Sequence, residues 1–277
     1  MHPCIQIAGR YFASYQVCLA LAFAVGGALM LRANRRQPRP LRLGPESILI
    51  TILGAMLGAK CAHLAIEGPH GPLYTTLFIW RGGYYFHGGL AGGIAAYGLY
   101  LRYRGERIAA GLDAIAPYAA FGESITRIGC FLSVCCWGAP VTHAPGVVFL
   151  PGSAAYQQHV YHGWIGPDAA CSLPVHPFQL YMSLAMLAAF VVLRRHEGKH
   201  AFPGEVALQY FVAQSVARFS LDFLRGDLER GAFGLTVTQW MALAVYAAAL
   251  AGLILAYGRT ARRSTPVGIA GQGEETA

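Results

Sequence analysis

Hydrophobic residues run along this chain in long blocks, broken by short stretches rich in arginine, glycine and proline. A helix needs about 20 apolar residues to cross a hydrocarbon layer, and the blocks predict seven spans at roughly 11–31, 46–66, 85–101, 108–134, 176–193, 203–224 and 235–257. The third is the shortest, and His87-Gly88-Gly89 marks a broken or re-entrant start for it. Pro177 behind His176 is a helix-start signal for the fifth. No internal repeat and no low-complexity tract interrupts the pattern. The longest segment outside the spans, Gly138 to Val175, is rich in Pro, Gly, His and Tyr. Such long connections in a compact protein are either functional or disordered, and the aromatic content favours an ordered cap over one mouth of the bundle. Residues 1–261 therefore read as a single all-α, polytopic membrane domain with 138–175 as its cap. The Gly/Ser/Thr-containing stretch 262–277 reads as a disordered tail.

Composition supports the membrane reading. The chain is 55% hydrophobic and only 12% charged, about half the charge of an ordinary soluble domain. Its net charge of +8 raises a nucleic-acid reading, but the placement of the basic residues argues against it. Arg32, Arg35, Arg36, Arg39 and Arg42 follow span one, and Arg102, Arg104 and Arg107 follow span three. Arg194, Arg195 and Lys199 follow span five, and Arg259, Arg262 and Arg263 follow span seven. The opposite loops hold Arg10, Arg81, Arg225 and Arg230. That bias predicts a periplasmic N-terminus and a cytoplasmic C-terminus, with no nucleic-acid partner. The first apolar run, Tyr11 to Leu31, is too long for a cleaved signal segment and its positive charges come after it.

Three basic residues, Lys60, Arg127 and Arg218, fall inside spans. A charge in a membrane helix costs roughly 3 kcal/mol or more and usually faces a polar cavity. Arg127 and Arg218 come from distant segments, and two guanidinium forks suit a lipid phosphate. The competing reading is that Asp222, four residues on, neutralises Arg218. His87, between glycines at the outer end of span three, is a candidate general base, or else a structural hydrogen-bond partner. Gly92 and Gly93 read as close helix packing. His176 and Tyr181 read as interfacial anchors, and Tyr15 as a hydrogen-bond donor pointing into the bundle.

The seven cysteines make no disulfide framework. Cys4, Cys18 and Cys61 read as small packing residues. Cys130, Cys135 and Cys136 are open to several readings: inert packing, a disulfide (with Cys171 as a further partner on an oxidising side), or thiol chemistry beside Arg127. A zinc site with His143, His159 or His162 has irregular spacing.

Taken together, these pieces resemble the prolipoprotein diacylglyceryl transferase family. The resemblance rests on Gly82-Gly83-Tyr84-Tyr85-Phe86-His87-Gly88-Gly89-Leu90, on Arg127-Ile128-Gly129 with Phe131 and Gly138, on His176-Pro177-Phe178-Gln179-Leu180-Tyr181, and on Arg218-Phe219 with Asp222-Phe223-Leu224-Arg225. It covers about residues 10–257, and the combination is specific where no single piece is. It implies a seven-span enzyme of the bacterial inner membrane that moves a diacylglyceryl group from phosphatidylglycerol to the lipobox cysteine of a preprolipoprotein, acting as a monomer without metal or organic cofactor. By the resemblance His87, Arg127 and Arg218 are catalytic, and Tyr15, Gly88, Gly89, Gly129, Gly138 and Arg225 contact substrate. The signal peptide of the acceptor and membrane lipids are the implied partners.

The chain departs from the family pattern at Cys130 and Ser133, where asparagines are expected, and at Cys135 and Met182, where glutamates are expected. Gln16 and Gln214 replace a glycine and a tyrosine. These departures keep open a membrane thiol–disulfide or thiol-carrier protein on the same scaffold, and a non-catalytic lipid-binding paralogue.

Overall fold

The computed structural model describes residues 4–7, 10–68, 86–142 and 146–264. The described chain opens with an antiparallel hairpin, β1 (Cys4–Ile7) and β2 (Arg10–Ala13), in which Cys4 faces Ala13 and Ile7 faces Arg10. Seven long helices follow: α1 (Ser14–Asn34), α2 (Glu46–Glu67), α3 (Phe86–Tyr103), α4 (Ile108–Leu132), α6 (Phe178–His196), α7 (Glu205–Leu221) and α8 (Val237–Ser264). A short helix, α5 (Ala154–Tyr161), lies between α4 and α6. A long helix thus stands at each apolar block. The hairpin was not legible in the pattern, because two four-residue strands leave no periodic signal.

Four of the helices are long and apolar enough to cross a membrane: α1, α2, α6 and the Val237–Arg262 part of α8. Their surfaces agree, since Leu53, Leu57, Leu184 and Ile254 are exposed, as side chains facing lipid would be. The other three hold more charge or less length. In α4 the charges are Asp113, Glu123 and Arg127, and each is used. Buried Asp113 accepts the amides of Gly204 (2.6 Å) and Ala207 (2.9 Å), capping the start of α7. A carboxylate at a helix N-terminus satisfies otherwise orphaned donors. It also ties α4 to α7 and so sets where Arg218 sits relative to Arg127.

Helix α4 is the central element. It packs on α1, α6 and α7, while α7 packs on α6 and α8, and α2 pairs with α3. The α2–α3 contact is a backbone approach through Gly54 and Gly58 on one side and Gly88 and Gly92 on the other. A Cβ on Gly58 would stand 2.3 Å from the Gly88 carbonyl, and one on Gly92 would stand 2.3 Å from the Gly54 carbonyl. Small residues four apart allow this in membrane helices. Helix α3 runs unbroken through Gly88 and Gly89, so the expected break at that point is corrected. The glycines of this first turn serve contact with α2.

The segment 138–175 is folded around its own apolar cluster of Phe149, Ala155 and Val175, against Val134 and Trp137. Trp137 Nε1 donates to Gln158 Oε1 (2.9 Å). Val175 bridges to both Pro140 and Val147. Buried His159 accepts the Leu173 amide on Nδ1 (3.2 Å). At the far end α8 continues to Ser264, two residues past the expected start of the tail, and the rest of that tail lies outside the described residues.

Candidate active site

Arg127 lies one turn after Glu123 on α4, and its Nη2 donates to Glu123 Oε1 at 3.1 Å. The Tyr210 hydroxyl, from α7, donates to the other oxygen of Glu123 at 3.5 Å. Arg218 lies near the end of α7, with Nε 3.3 Å from Asp222 Oδ2. Asp222 opens a 3₁₀ turn, Asp222–Leu224, and is fully buried. It also accepts the Thr238 hydroxyl from the start of α8 and has Arg225 Nη1 at 3.9 Å. Arg225 in turn makes a two-pronged bond to Asp227, at 2.8 and 2.7 Å, with its guanidinium 5.1 Å from the Phe178 ring centre.

These ions form one field. Arg218 is within electrostatic reach of Asp222, Arg127, Arg225 and Glu123. The two arginines singled out in the sequence are thus brought within electrostatic reach of each other, and each keeps 16% of its side chain exposed. Arg225 joins them, but its fork is held by Asp227. Three guanidiniums, of Arg127, Arg218 and Arg225, face three carboxylates, of Glu123, Asp222 and Asp227. Glu123, Tyr210, Asp227 and Thr238 were not singled out from sequence. Glu123 was legible, because it stands four residues before Arg127 and helical i,i+4 pairs interact. Tyr210, Asp227 and Thr238 had no such signal.

The remaining expected residues are distributed around this field. Tyr15, at the start of α1, lies within electrostatic reach of Arg127 and of Cys130, Cys135 and Cys136, and its amide donates to the Ser133 hydroxyl at 3.0 Å. Gly129 lets α4 approach α1, since a Cβ there would stand 2.8 Å from that of Cys18. Gly138 is wedged between two backbone segments: a Cβ would stand 2.4 Å from the His176 carbonyl and 2.9 Å from that of Leu224. Its backbone bridges to Arg225, so this glycine ties the folded 138–175 segment to the arginine cluster. Gly88 and Gly89 both face α2. The side chain of His87, the expected general base, lies outside the described residues.

The three cysteines after Arg127 converge. Cys130 lies in the last turn of α4, and Cys135 and Cys136 lie in the turn behind it. Their sulfur atoms all lie within 4.8 Å of one another. Val134 and Cys136 adopt left-handed backbone, with φ of 57° and 56°, a conformation that costs non-glycine residues energy. The turn is held by the Cys135 amide bonding the Cys130 carbonyl (3.1 Å) and by buried Gln179 donating to the Cys135 carbonyl (2.6 Å). Hydrogen bonds from Cys130 and Cys135, then the nearby Arg225 and Arg127, pull the Cys136 thiol well below its ordinary value.

Comparison with known proteins gives a consistent result. The family model described as prolipoprotein diacylglyceryl transferase matches residues 4–255. A protein of Methylibium petroleiphilum named phosphatidylglycerol–prolipoprotein diacylglyceryl transferase is 30% identical over 251 residues, covering 87% of this chain and 89% of that one. Its namesake in Bordetella avium is 31% identical over 227 residues, covering 79% and 78%. That of Gloeobacter violaceus is 29% identical over 272 residues, covering 95% and 96%.

Proposed function

The chain belongs to the prolipoprotein diacylglyceryl transferase family, and from that premise we propose that it transfers a diacylglyceryl group from phosphatidylglycerol to the cysteine thiol of a prolipoprotein. The observation that supports this most is the convergence of Arg127 and Arg218 in one partly accessible ionic cluster between α4 and α7. The lipid phosphate enters the field of both arginines, competing with Glu123 and Asp222. Their forks then stabilise the charge that develops on the departing phosphate, the largest kind of catalytic contribution available to fixed charges. The acceptor sulfur, as thiolate, attacks the glyceryl carbon that bears the phosphate. A C–S bond forms, the C–O bond to phosphate breaks, and glycerol 1-phosphate leaves with the electron pair. His87, or a water it orients, takes the thiol proton. Tyr15 contacts the headgroup, and Gly88, Gly89 and Gly129 give room beside it, while Gly138 and Arg225 border the same site.

In this reading α3, α4 and α7 cross the inner membrane along with the four more apolar helices, making seven spans with the N-terminus periplasmic and the C-terminus cytoplasmic. Of the charges that lower the hydropathy of α4 and α7, Glu123, Arg127 and Arg218 line the site, and Asp113 caps the start of α7. The folded segment 138–175 covers the outer mouth and guides the signal peptide of the acceptor, and one chain suffices.

The experiment is complementation in cells depleted of their own diacylglyceryl transferase, with a reporter prolipoprotein read by mass spectrometry. A diacylglyceryl mass on the lipobox cysteine is expected with the native chain. It should be absent with Arg127→Ala and Arg218→Ala, both inserted normally. Full activity in both variants would overturn the mechanism.

A further inference from the structure

The three-sulfur cluster has no part in the reading above, yet its geometry is that of a metal site. Tetrahedral zinc with Zn–S bonds of about 2.3 Å holds its sulfurs roughly 3.8 Å apart. Sulfur atoms of Cys130, Cys135 and Cys136 within 4.8 Å of one another need only small rotations to meet that spacing. They arise from one helix end and one turn, so closing on an ion requires no movement between helices. The turn is already fixed by Gln179 and by the left-handed residues Val134 and Cys136. Cys130 is buried while Cys135 and Cys136 are partly buried, so two of the three residues keep some exposure. Among the described residues no histidine joins the three sulfurs, and His159 spends Nδ1 on the Leu173 amide.

Three protein ligands and one open position are the pattern of catalytic rather than structural zinc. Charge supports the same assignment. Three thiolates and Zn²⁺ sum to one negative charge, and a fourth thiolate adds another. Arg127 and Arg225 are both within electrostatic reach of Cys136, and while paired with Glu123 and Asp227 they offset part of that charge. Tyr15 lies in reach of all three sulfurs as well. The cluster is therefore beside the arginines to which a lipid phosphate would bind, and a ligand in the open position would be near the reacting carbon.

We propose that Cys130, Cys135 and Cys136 bind a zinc ion whose fourth position takes the acceptor cysteine thiol and presents it as a thiolate for alkylation. The inference rests on the transferase reading. Binding to the metal releases the thiol proton, since only the thiolate coordinates well. The metal-bound sulfur then attacks the glyceryl carbon, the C–O bond to phosphate breaks, and the leaving glycerol phosphate takes up a proton. The product thioether is neutral and a weaker ligand, so it departs and leaves the position free. No oxidant or reductant enters the balance.

The test uses the reduced full-length protein in detergent, loaded with Co²⁺ in place of zinc. Thiolate-to-cobalt charge-transfer absorption and the intense visible bands of tetrahedral cobalt are expected. Cys130→Ser, Cys135→Ser and Cys136→Ser should each weaken or abolish them, while Cys61→Ser, an exposed position on α2, keeps both spectrum and transfer. Arg218→Ala should keep the spectrum and lose transfer, which separates failure of the site from failure of the transferase reading. Chelation of the native protein should lower transfer roughly 100-fold, recovered by added zinc. Absence of charge-transfer absorption in the fully reduced protein overturns the site. Full transfer after chelation overturns its catalytic role even if metal binds. Cobalt spectra without any transfer by the zinc-loaded native protein would leave the metal site standing and count against the transferase.

Discussion

Arg218 and Asp222 form a buried pair, with Nε 3.3 Å from Oδ2 and the carboxylate fully buried. Asp222 also accepts the Thr238 hydroxyl and faces Arg225, so it links α7 to α8 through a charge. The neutralising pair and the phosphate grip, weighed as alternatives from the sequence, are compatible in this geometry. An arginine in a low-dielectric site needs a counter-ion while it waits for substrate. Removing either partner alone strands the other. Arg218→Ala should therefore lose transfer and also lower thermal stability, by about 3 kcal/mol. Arg218→Ala combined with Asp222→Asn should regain most of that stability and none of the activity. Thermal unfolding in detergent beside the lipidation assay separates the two effects, and a double variant no more stable than the single would refute the pairing account.

Arg127 makes a different demand. Its Nη2 is bonded to Glu123, whose other oxygen takes the Tyr210 hydroxyl. A lysine keeps the charge but not the fork, and bidentate recognition of phosphate depends on the fork. Arg127→Lys should cost roughly 100-fold in transfer. Glu123→Gln keeps the hydrogen-bonding shape and should cost less, acting through the aim of Arg127. Initial rates with a lipobox peptide and phosphatidylglycerol vesicles decide this. Equal rates for Arg127→Lys and the native chain would remove the fork from the argument.

The helices were legible because membrane spans are set by one long-range property, sustained apolarity, and each apolar block holds a helix. The arginine pair was legible because charge is costly in such blocks. What pairs with those arginines was only half legible: Glu123 follows from helical spacing, but Tyr210, Thr238 and Asp227 depend on how α7 and α8 settle against α4. The convergence of Cys130, Cys135 and Cys136 could not be read either. It depends on the left-handed backbone at Val134 and Cys136, residue types that do not announce that conformation. The N-terminal hairpin was missed for lack of length. Gly88 illustrates a motif residue whose local role was hidden: its neighbours in space are Gly58 and Ala62 on α2.

That α2–α3 contact yields a packing prediction. A methyl on Gly58 would meet the Gly88 carbonyl at 2.3 Å and the Gly92 Cα at 2.8 Å, both backbone. The helices would have to separate, and overpacking of this kind costs about 1–3 kcal/mol. On Gly98 of the same α3 the nearest atom to an added Cβ is Ile108 Cδ1 at 3.9 Å. Gly58→Ala should lower the midpoint of thermal aggregation, and Gly98→Ala should leave it unchanged. Equal behaviour of the two would argue against the close approach.

The folded 138–175 segment supplies a pH-dependent prediction through His159. Burial, with His162 nearby, lowers the His159 pKa below its ordinary value, and its Nδ1 accepts the Leu173 amide, which requires the neutral ring. In the unfolded segment the imidazole titrates near about 6.5. As pH falls through that value the unfolded form takes the proton first, so the stability contributed by neutral His159 is complete above it and is lost progressively below it. Hydrogen exchange of the amides between 146 and 175 should quicken from about pH 7.5 to about pH 5, after correction for the intrinsic rate, while the α4 core stays protected. His159→Gln, which offers an amide oxygen to the Leu173 amide and does not titrate, should flatten that dependence. A segment whose protection is the same at both pH values in the native chain would show that protonation of His159 does not control it.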